Sequence, residues 1–244
     1  MLELFKKIYS KSKKSFYEKL KLNLKNNKKS FIVTANPETF MISSNDLELY
    51  KLLKDRETIL VPDGVGIVKA ANILNFKVKE RITGIDIANK LLEYGNELKS
   101  SIYFFGSKEE VIQMLNRVVR KKYPNLRIVG FSNGFVNDKD EVFKEINKLH
   151  PDIVLVALGI PNQEKIIYKH LSEFKKGIFV GVGGSFDVIS GSKKRAPQIF
   201  IKLNLEWLYR IIREPKRIKR FYNSNIKFII KVKKMRRKYE NEKK

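Results

Sequence analysis

Six short apolar runs recur from residue 30 onward: SFIVTA, TILVPD, SIYFFG, LRIVGF, DIVLVAL and GIFVGVG. Each is continuous rather than alternating, so a strand formed from it must be buried on both faces. Longer segments of helical period separate them, among them EEVIQMLNRVVRKKY and QEKIIYKHLSEF. Strands buried on both faces and alternating with helices predict a doubly wound α/β fold with a mostly parallel, Rossmann-like sheet.

Such sheets bind ligands beyond the carboxyl ends of their strands. The loops there read TANPE (34–38), PDGVG (62–66), FGSKEE (105–110), FSNGFV (131–136), LGIPNQE (158–164) and GVGGSFD (181–187). If the strands are parallel, Asn36, Asp63, Asn133, Gln163 and Asp187 converge on one rim. Asp63 ends an apolar strand, and Gly64 and Gly66 let backbone or ligand approach closely. Its purely structural role would be to cap the helix that follows.

The formal charge of +25 is unevenly placed. Residues 1–30 hold ten Lys and two Glu (+8), and residues 201–244 hold sixteen Lys or Arg and four Glu (+12). Only +5 remains for the stretch 31–200 between them. This predicts a Lys-rich N-terminal segment (1–30), a near-neutral α/β catalytic domain (31–197) and a basic appendage (198–244) for a polyanionic surface. In the appendage, Ile201, Leu205, Leu208 and Ile212 fall at helical spacing, with Trp207 and Ile211 widening the apolar side. Arg210, Arg213, Arg217 and Arg220 lie among or beyond them, and Pro215 interrupts the run. An apolar stripe ringed by arginines suits a helix on an anionic membrane.

No run approaches the ~18 apolar residues of a spanning helix, and the N-terminus lacks a signal-peptide core. The chain has no cysteine, which suits a reducing compartment. NDKDE (137–141) spells Asp-x-Asp, a metal-binding pattern elsewhere, but it opens a helical segment where Asp138 or Asp140 serves as cap. His150 and His170 are far apart with no ligand cluster around them, so no metal site is expected.

Six stretches together resemble the WecG/TagA/CpsF family of bacterial glycosyltransferases: TANPE, PDGVGIV, RITGID (81–86), LGIPNQE, GVGGSFDVISGSKKRAP (181–197) and EWLYRIIREPKR (206–217). They occur in family order across residues 31–220. The resemblance implies inverting transfer of a sugar, usually N-acetylmannosamine, from a UDP donor. The acceptor is N-acetylglucosaminyl-diphospho-undecaprenol, the bond is β-1,4, and the product begins teichoic acid or related surface polymers. It further implies no cofactor or metal and a cytoplasmic enzyme held peripherally on the inner face of the plasma membrane. A homo-oligomer is left open.

Carried onto this chain, the resemblance makes Asp63 the base and sets Arg81 against the diphosphate, with Thr83 and Asp86 beside it in the substrate site. Thr34 and Asn36 would orient the acceptor sugar, and Gln163 and Asp187 would meet the nucleotide sugar. Phe135 would stack on uracil, while Lys194 and Arg195 would reach phosphates or membrane. Trp207, Arg210, Arg217 and Arg220 would serve the membrane and the acceptor. Two departures stand out. FGSKEEV, with one glycine and two glutamates, is a poor phosphate cradle, and the Lys-rich N-terminal segment matches the family poorly. Two rivals remain: the same fold using UDP-glucose or UDP-N-acetylmannosaminuronate, and a nucleic-acid-binding protein. The latter lacks a stacking platform or recognition helix.

Overall fold

The computed structural model describes residues 1–241, so the last three residues of the expected appendage lie outside the described residues. All six apolar runs are strands: β1 (Ser30–Ala35), β2 (Thr58–Pro62), β3 (Ser101–Gly106), β4 (Arg127–Ser132), β5 (Ile153–Ala157) and β6 (Ile178–Gly181). They form one sheet in the order β2-β1-β6-β5-β3-β4, and every pairing is parallel.

Successive strand residues point to opposite faces, and both faces are covered. Phe31, Val33, Tyr103, Phe105, Val154 and Val156 face one apolar core. Ile32, Ile102, Phe104, Leu155 and Val180 face the other. Full burial of each such side chain contributes about 1.5–3 kcal/mol, which explains why the runs are apolar without alternation.

The Lys-rich N-terminal segment is part of this body. In α1 (Leu2–Lys7) Leu4 and Phe5 are buried, and in α2 (Lys13–Lys25) Phe16, Leu20 and Leu24 are buried. Between them the Tyr9 N–H donates to the Leu60 carbonyl at 2.8 Å, covering part of the open edge of β2. The lysines belong to the outer faces of two docked helices.

The C-terminal region is not one amphipathic helix. It breaks into α11 (Gln198–Lys202), α12 (Glu206–Arg213), α13 (Arg217–Phe221), a π-helical turn (Tyr222–Ile226) and α14 (Lys227–Asn241). Ile201 lies in α11 and Leu208 and Ile212 in α12, and the chain turns between them through Asn204 at φ 59°. The expected stripe is therefore divided. α14 returns to the body, where Phe228 and Val232 are fully buried. The Phe228 ring packs edge-on to Phe40 at 5.7 Å and near Phe5 at 6.3 Å. Among the described residues no helix is long and apolar enough to cross a membrane.

Candidate active site

A cavity of about 970 Å³ opens beyond the carboxyl ends of β1, β2, β5 and β6, with α12 and α13 across its far side. This is the crevice that the strand order creates beside β1, where the chain reverses its direction of winding.

Asp63 is held there by an extension of the sheet. Its N–H donates to the Ala35 carbonyl at 2.9 Å, and the Ile82 N–H donates to the Pro62 carbonyl at 2.8 Å. The chain then turns through Gly64 at φ +92°, and Gly64 is itself the N-cap of α5 (Val65–Ile73). Asp63 is therefore not a cap. Gly66 is needed for close packing, since a Cβ there would lie 2.8 Å from Cγ of Pro37. Burial pushes the Asp63 carboxyl up to about 6, against the pull of Arg210, Arg81 and the Gly84 N–H, while Glu206 adds to the rise. A carboxylate held near that value is suited to accept a proton at neutral pH.

Arg81 lines the cavity but is engaged, its Nη2 lying 2.6 Å from Oε2 of Glu206 on α12. Glu206 also approaches Arg195 Nε at 3.6 Å. Arg195 in turn meets Asp86 at 2.8 Å, and Lys13 of α2 meets the other Asp86 oxygen at 2.8 Å. Asp86 thus stands behind the cavity wall, tying the N-terminal helix to the rim rather than facing a ligand. Thr83 does line the cavity, and its Oγ1 accepts from the Asp86 N–H at 3.3 Å to cap α6 (Gly84–Glu97).

Thr34, Asn36, Gln163, Asp187, Lys194 and Arg195 are all on the wall. Asn36 also closes a capping box with Thr39 at the start of α3 (Pro37–Ser43), accepting from the Thr39 N–H at 3.0 Å. Thr34 Oγ1 donates to the Gly181 carbonyl at 3.3 Å. Trp207, Arg210, Arg217 and Arg220 line the opposite side. Trp207 stacks on Phe221 with centroids 4.5 Å apart, and Arg220 grips both oxygens of Glu38 at 2.8 Å. Arg217 pairs with Glu214 at 2.6 Å, whereas Arg210 makes no ion pair among the described residues, and its charge pulls the Asp63 carboxyl down.

Phe135 does not join this group. It is 75% exposed and off the cavity wall, because β4 is the outermost strand and β3 separates it from β5. Asn133 likewise turns away, donating to Glu109 at 2.7 Å. Of the FGSKEE loop only Ser107 reaches the wall. Asp138 caps α8 (Lys139–Leu149), accepting from the Asp140 and Glu141 N–H groups. Asp140 is taken up by Lys169 and His170, and His170 stacks on Phe143 between Asp140 and Glu173. That histidine has carboxylate neighbours which its sequence context does not reveal. No group of three or more His, Cys, Asp or Glu side chains among the described residues is placed to hold a metal ion.

Two carboxylates escaped the sequence reading. Glu206 looks like the polar side of an amphipathic helix, yet it is buried against Arg81. Glu164 follows Gln163 in α9 (Asn162–His170) and is 1% exposed, and burial pushes its carboxyl up to about 7.

A family model described as the glycosyl transferase WecG/TagA/CpsF family matches residues 4–242. The match reaches back through both N-terminal helices, which corrects the expectation that the Lys-rich segment fits the family poorly. Curated relatives include an N-acetylglucosaminyldiphosphoundecaprenol N-acetyl-beta-D-mannosaminyltransferase of Bacillus subtilis, 42% identical over 189 residues, covering 78% of this chain and 73% of the relative. Proteins of the same name in Bacillus spizizenii and Staphylococcus aureus are 40% and 36% identical. The alignments cover 81% and 87% of this chain and 76% and 83% of those relatives.

Proposed function

The chain belongs to the WecG/TagA/CpsF family of glycosyl transferases, and from that premise we propose that it transfers N-acetylmannosamine from UDP-N-acetylmannosamine to N-acetylglucosaminyl-diphospho-undecaprenol. The observation that carries the reading is the wall of the cavity. There Asp63, its carboxyl pushed up to about 6 by burial, stands among Arg81, Arg195, Arg210 and the lysines of KKRAP. Both substrates bring diphosphates, and the reaction needs one base. Asp63 takes the proton from the acceptor hydroxyl as its oxygen attacks the anomeric carbon. The bond from that carbon to UDP breaks on the opposite side, inverting the configuration. The departing diphosphate carries away the electron pair, and guanidinium groups balance the growing charge. Arginine and lysine supply that charge, so transfer is expected to proceed in excess chelator. Loss of activity restored by magnesium or manganese would overturn the metal-free reading.

The acceptor's diphosphate lies at a bilayer surface. Of thirteen exposed large apolar side chains among the described residues, eight fall between residues 199 and 230. Their concentration beside the cavity, in the region of highest positive charge, supports peripheral docking on an anionic membrane, on the inner face where UDP-sugars are found. The deciding experiment incubates the protein with a panel of UDP-sugars and a short-chain lipid-diphosphate-GlcNAc and weighs the product. An added N-acetylhexosamine from UDP-N-acetylmannosamine alone supports the reading. A product only from UDP-glucose or UDP-N-acetylmannosaminuronate replaces the donor.

A further inference from the structure

We propose that Glu164 is a positioning residue for the donor site: its carboxyl fixes the Gln163 amide so that it offers an N–H, and not its carbonyl oxygen, to the bound donor. The inference rests on the reading that the cavity takes a UDP-sugar. Gln163 is 2% exposed, yet it forms part of the cavity wall. An amide has two N–H donors and two acceptor lone pairs on its oxygen. Here the oxygen accepts from the Gly183 N–H at 3.1 Å, and Nε2 donates to Oε1 of Glu164 at 2.8 Å. A half-turn of the amide would set its N–H against the Gly183 N–H, donor against donor. The amide packs close over Gly181, which has room for it only as glycine, since a Cβ there would lie 2.6 Å from Nε2 and 2.9 Å from Cδ. With its orientation set by these two hydrogen bonds, the amide keeps one uncommitted N–H. An oxygen of the donor is the matching acceptor.

Besides the Gln163 amide, Glu164 meets its own backbone N–H in the first turn of α9. It is buried, its Oε2 has no hydrogen-bond partner, and Glu38 adds a like charge nearby. A buried acid left half-satisfied weakens a fold, so its value must lie in what it holds. This separates positioning from simple structural support.

The test compares Glu164→Leu and Glu164→Gln by donor KM, kcat and melting temperature, after UDP binding to the unaltered protein has been measured. Absence of UDP binding in the unaltered protein would refute the donor reading itself. If it binds, Glu164→Leu should raise donor KM by about tenfold with kcat within about twofold and no loss of melting temperature. Glu164→Gln, which still presents an oxygen to Gln163, should restore KM to within about twofold. An unchanged KM in the leucine variant, or equal losses in both variants, would overturn the inference. Should the leucine variant not fold, Gly181→Ala displaces the same amide with Glu164 intact. It should raise KM similarly, and an unchanged KM there would also overturn the assignment.

Discussion

The sheet-built body and the segment from residue 198 to 226 are put together on opposite rules. In the body, the strands and the facing sides of the helices bury Phe, Ile, Leu and Val. In the segment no apolar side chain is buried, and the buried residues are Glu206 and Ser224. Ile199, Leu203, Ile212 and Ile218 are each more than 60% exposed. The hydrophobic effect holds the body together but does not hold the segment down in water. The segment is fastened by charge, through Glu206 to Arg81, Glu214 to Lys193 and Arg220 to Glu38, and by the burial of Phe228 beyond its far end. A strap tied at both ends, with its apolar residues exposed, suits the membrane docking proposed above. Under the proposed function, the body carries the chemistry and the segment serves the docking on a membrane.

The largest expected effect tests the first half of that assignment. Asp63→Asn should lower turnover by about 10²–10⁴-fold, the usual worth of a general base, with UDP binding by calorimetry nearly intact. In the unaltered protein the base must be ionised to act. Its carboxyl sits at about 6, so kcat/KM should fall roughly tenfold per pH unit below that value and level off above it. A rate that ignores pH between 5 and 7, or a fully active Asn variant, would move the base elsewhere.

Next comes the boundary between the two regions. Phe228→Ala, just beyond the segment, should cost about 3–5 kcal/mol by denaturant unfolding, as large-to-small changes in a core do. Ile218→Ala, inside the segment, should change stability by less than about 0.5 kcal/mol. Equal costs would erase the contrast. A smaller effect, read on lipid rather than on stability, follows from the same contrast. Replacing Ile199, Leu203, Ile212 and Ile218 together with Ser should leave the melting temperature in place. It should weaken sedimentation with anionic liposomes by roughly a hundredfold, at about 1 kcal/mol or less for each partly inserted side chain. Undiminished liposome binding would leave the basic charge as the whole of the attraction. Preference of the intact protein for RNA over such liposomes at physiological salt would favour the nucleic-acid rival.

How far these features could be read from the sequence depends on how local their causes are. Continuous apolar runs made all six strands legible, and five of them are buried on both faces; β4 is the exception, an edge strand with Arg127 exposed and the rest half-buried. The place of Asp63 on the rim was legible from an acid at the end of such a run, while its role as base came from the family resemblance. The buried side of the N-terminal helices was legible in principle from Leu4, Phe5, Phe16, Leu20 and Leu24, but the lysines between them dominate the composition. Phe135 was misplaced because loops converge only from neighbouring strands, and the strand order that puts β4 at the edge leaves no mark in the loop. Asp86 was read as facing a ligand, and Glu206 was not singled out. Their partners, Lys13 and Arg81, stand 73 and 125 residues away. Pairing over such distances has no periodicity to betray it.

That last pairing yields the smallest effect and the closest test of how body and segment communicate. Arg81 is the guanidinium proposed to meet the donor diphosphate, and in the ligand-free protein it faces Glu206 across 2.6 Å, both side chains mostly buried. A diphosphate must share Arg81 with that carboxylate or displace it. Displacement would loosen the segment's hold on the body as the donor arrives. Glu206→Gln keeps the shape and removes the competing charge, so UDP should bind about fivefold more tightly by titration at low salt, where such pairs are least screened. The same change should move the acid limb of the rate profile to lower pH, because Glu206 is a like charge that raises the Asp63 carboxyl. Amide hydrogens of residues 198–226 should exchange faster, since one of the charged ties is gone. Arg81→Ala should act in the opposite sense on binding, and it should depress turnover more than donor affinity if the guanidinium meets charge that develops only as UDP departs. Weaker UDP binding in Glu206→Gln would reverse the assignment: the carboxylate would then be holding Arg81 in position for the diphosphate, and the strap would close with the donor in place.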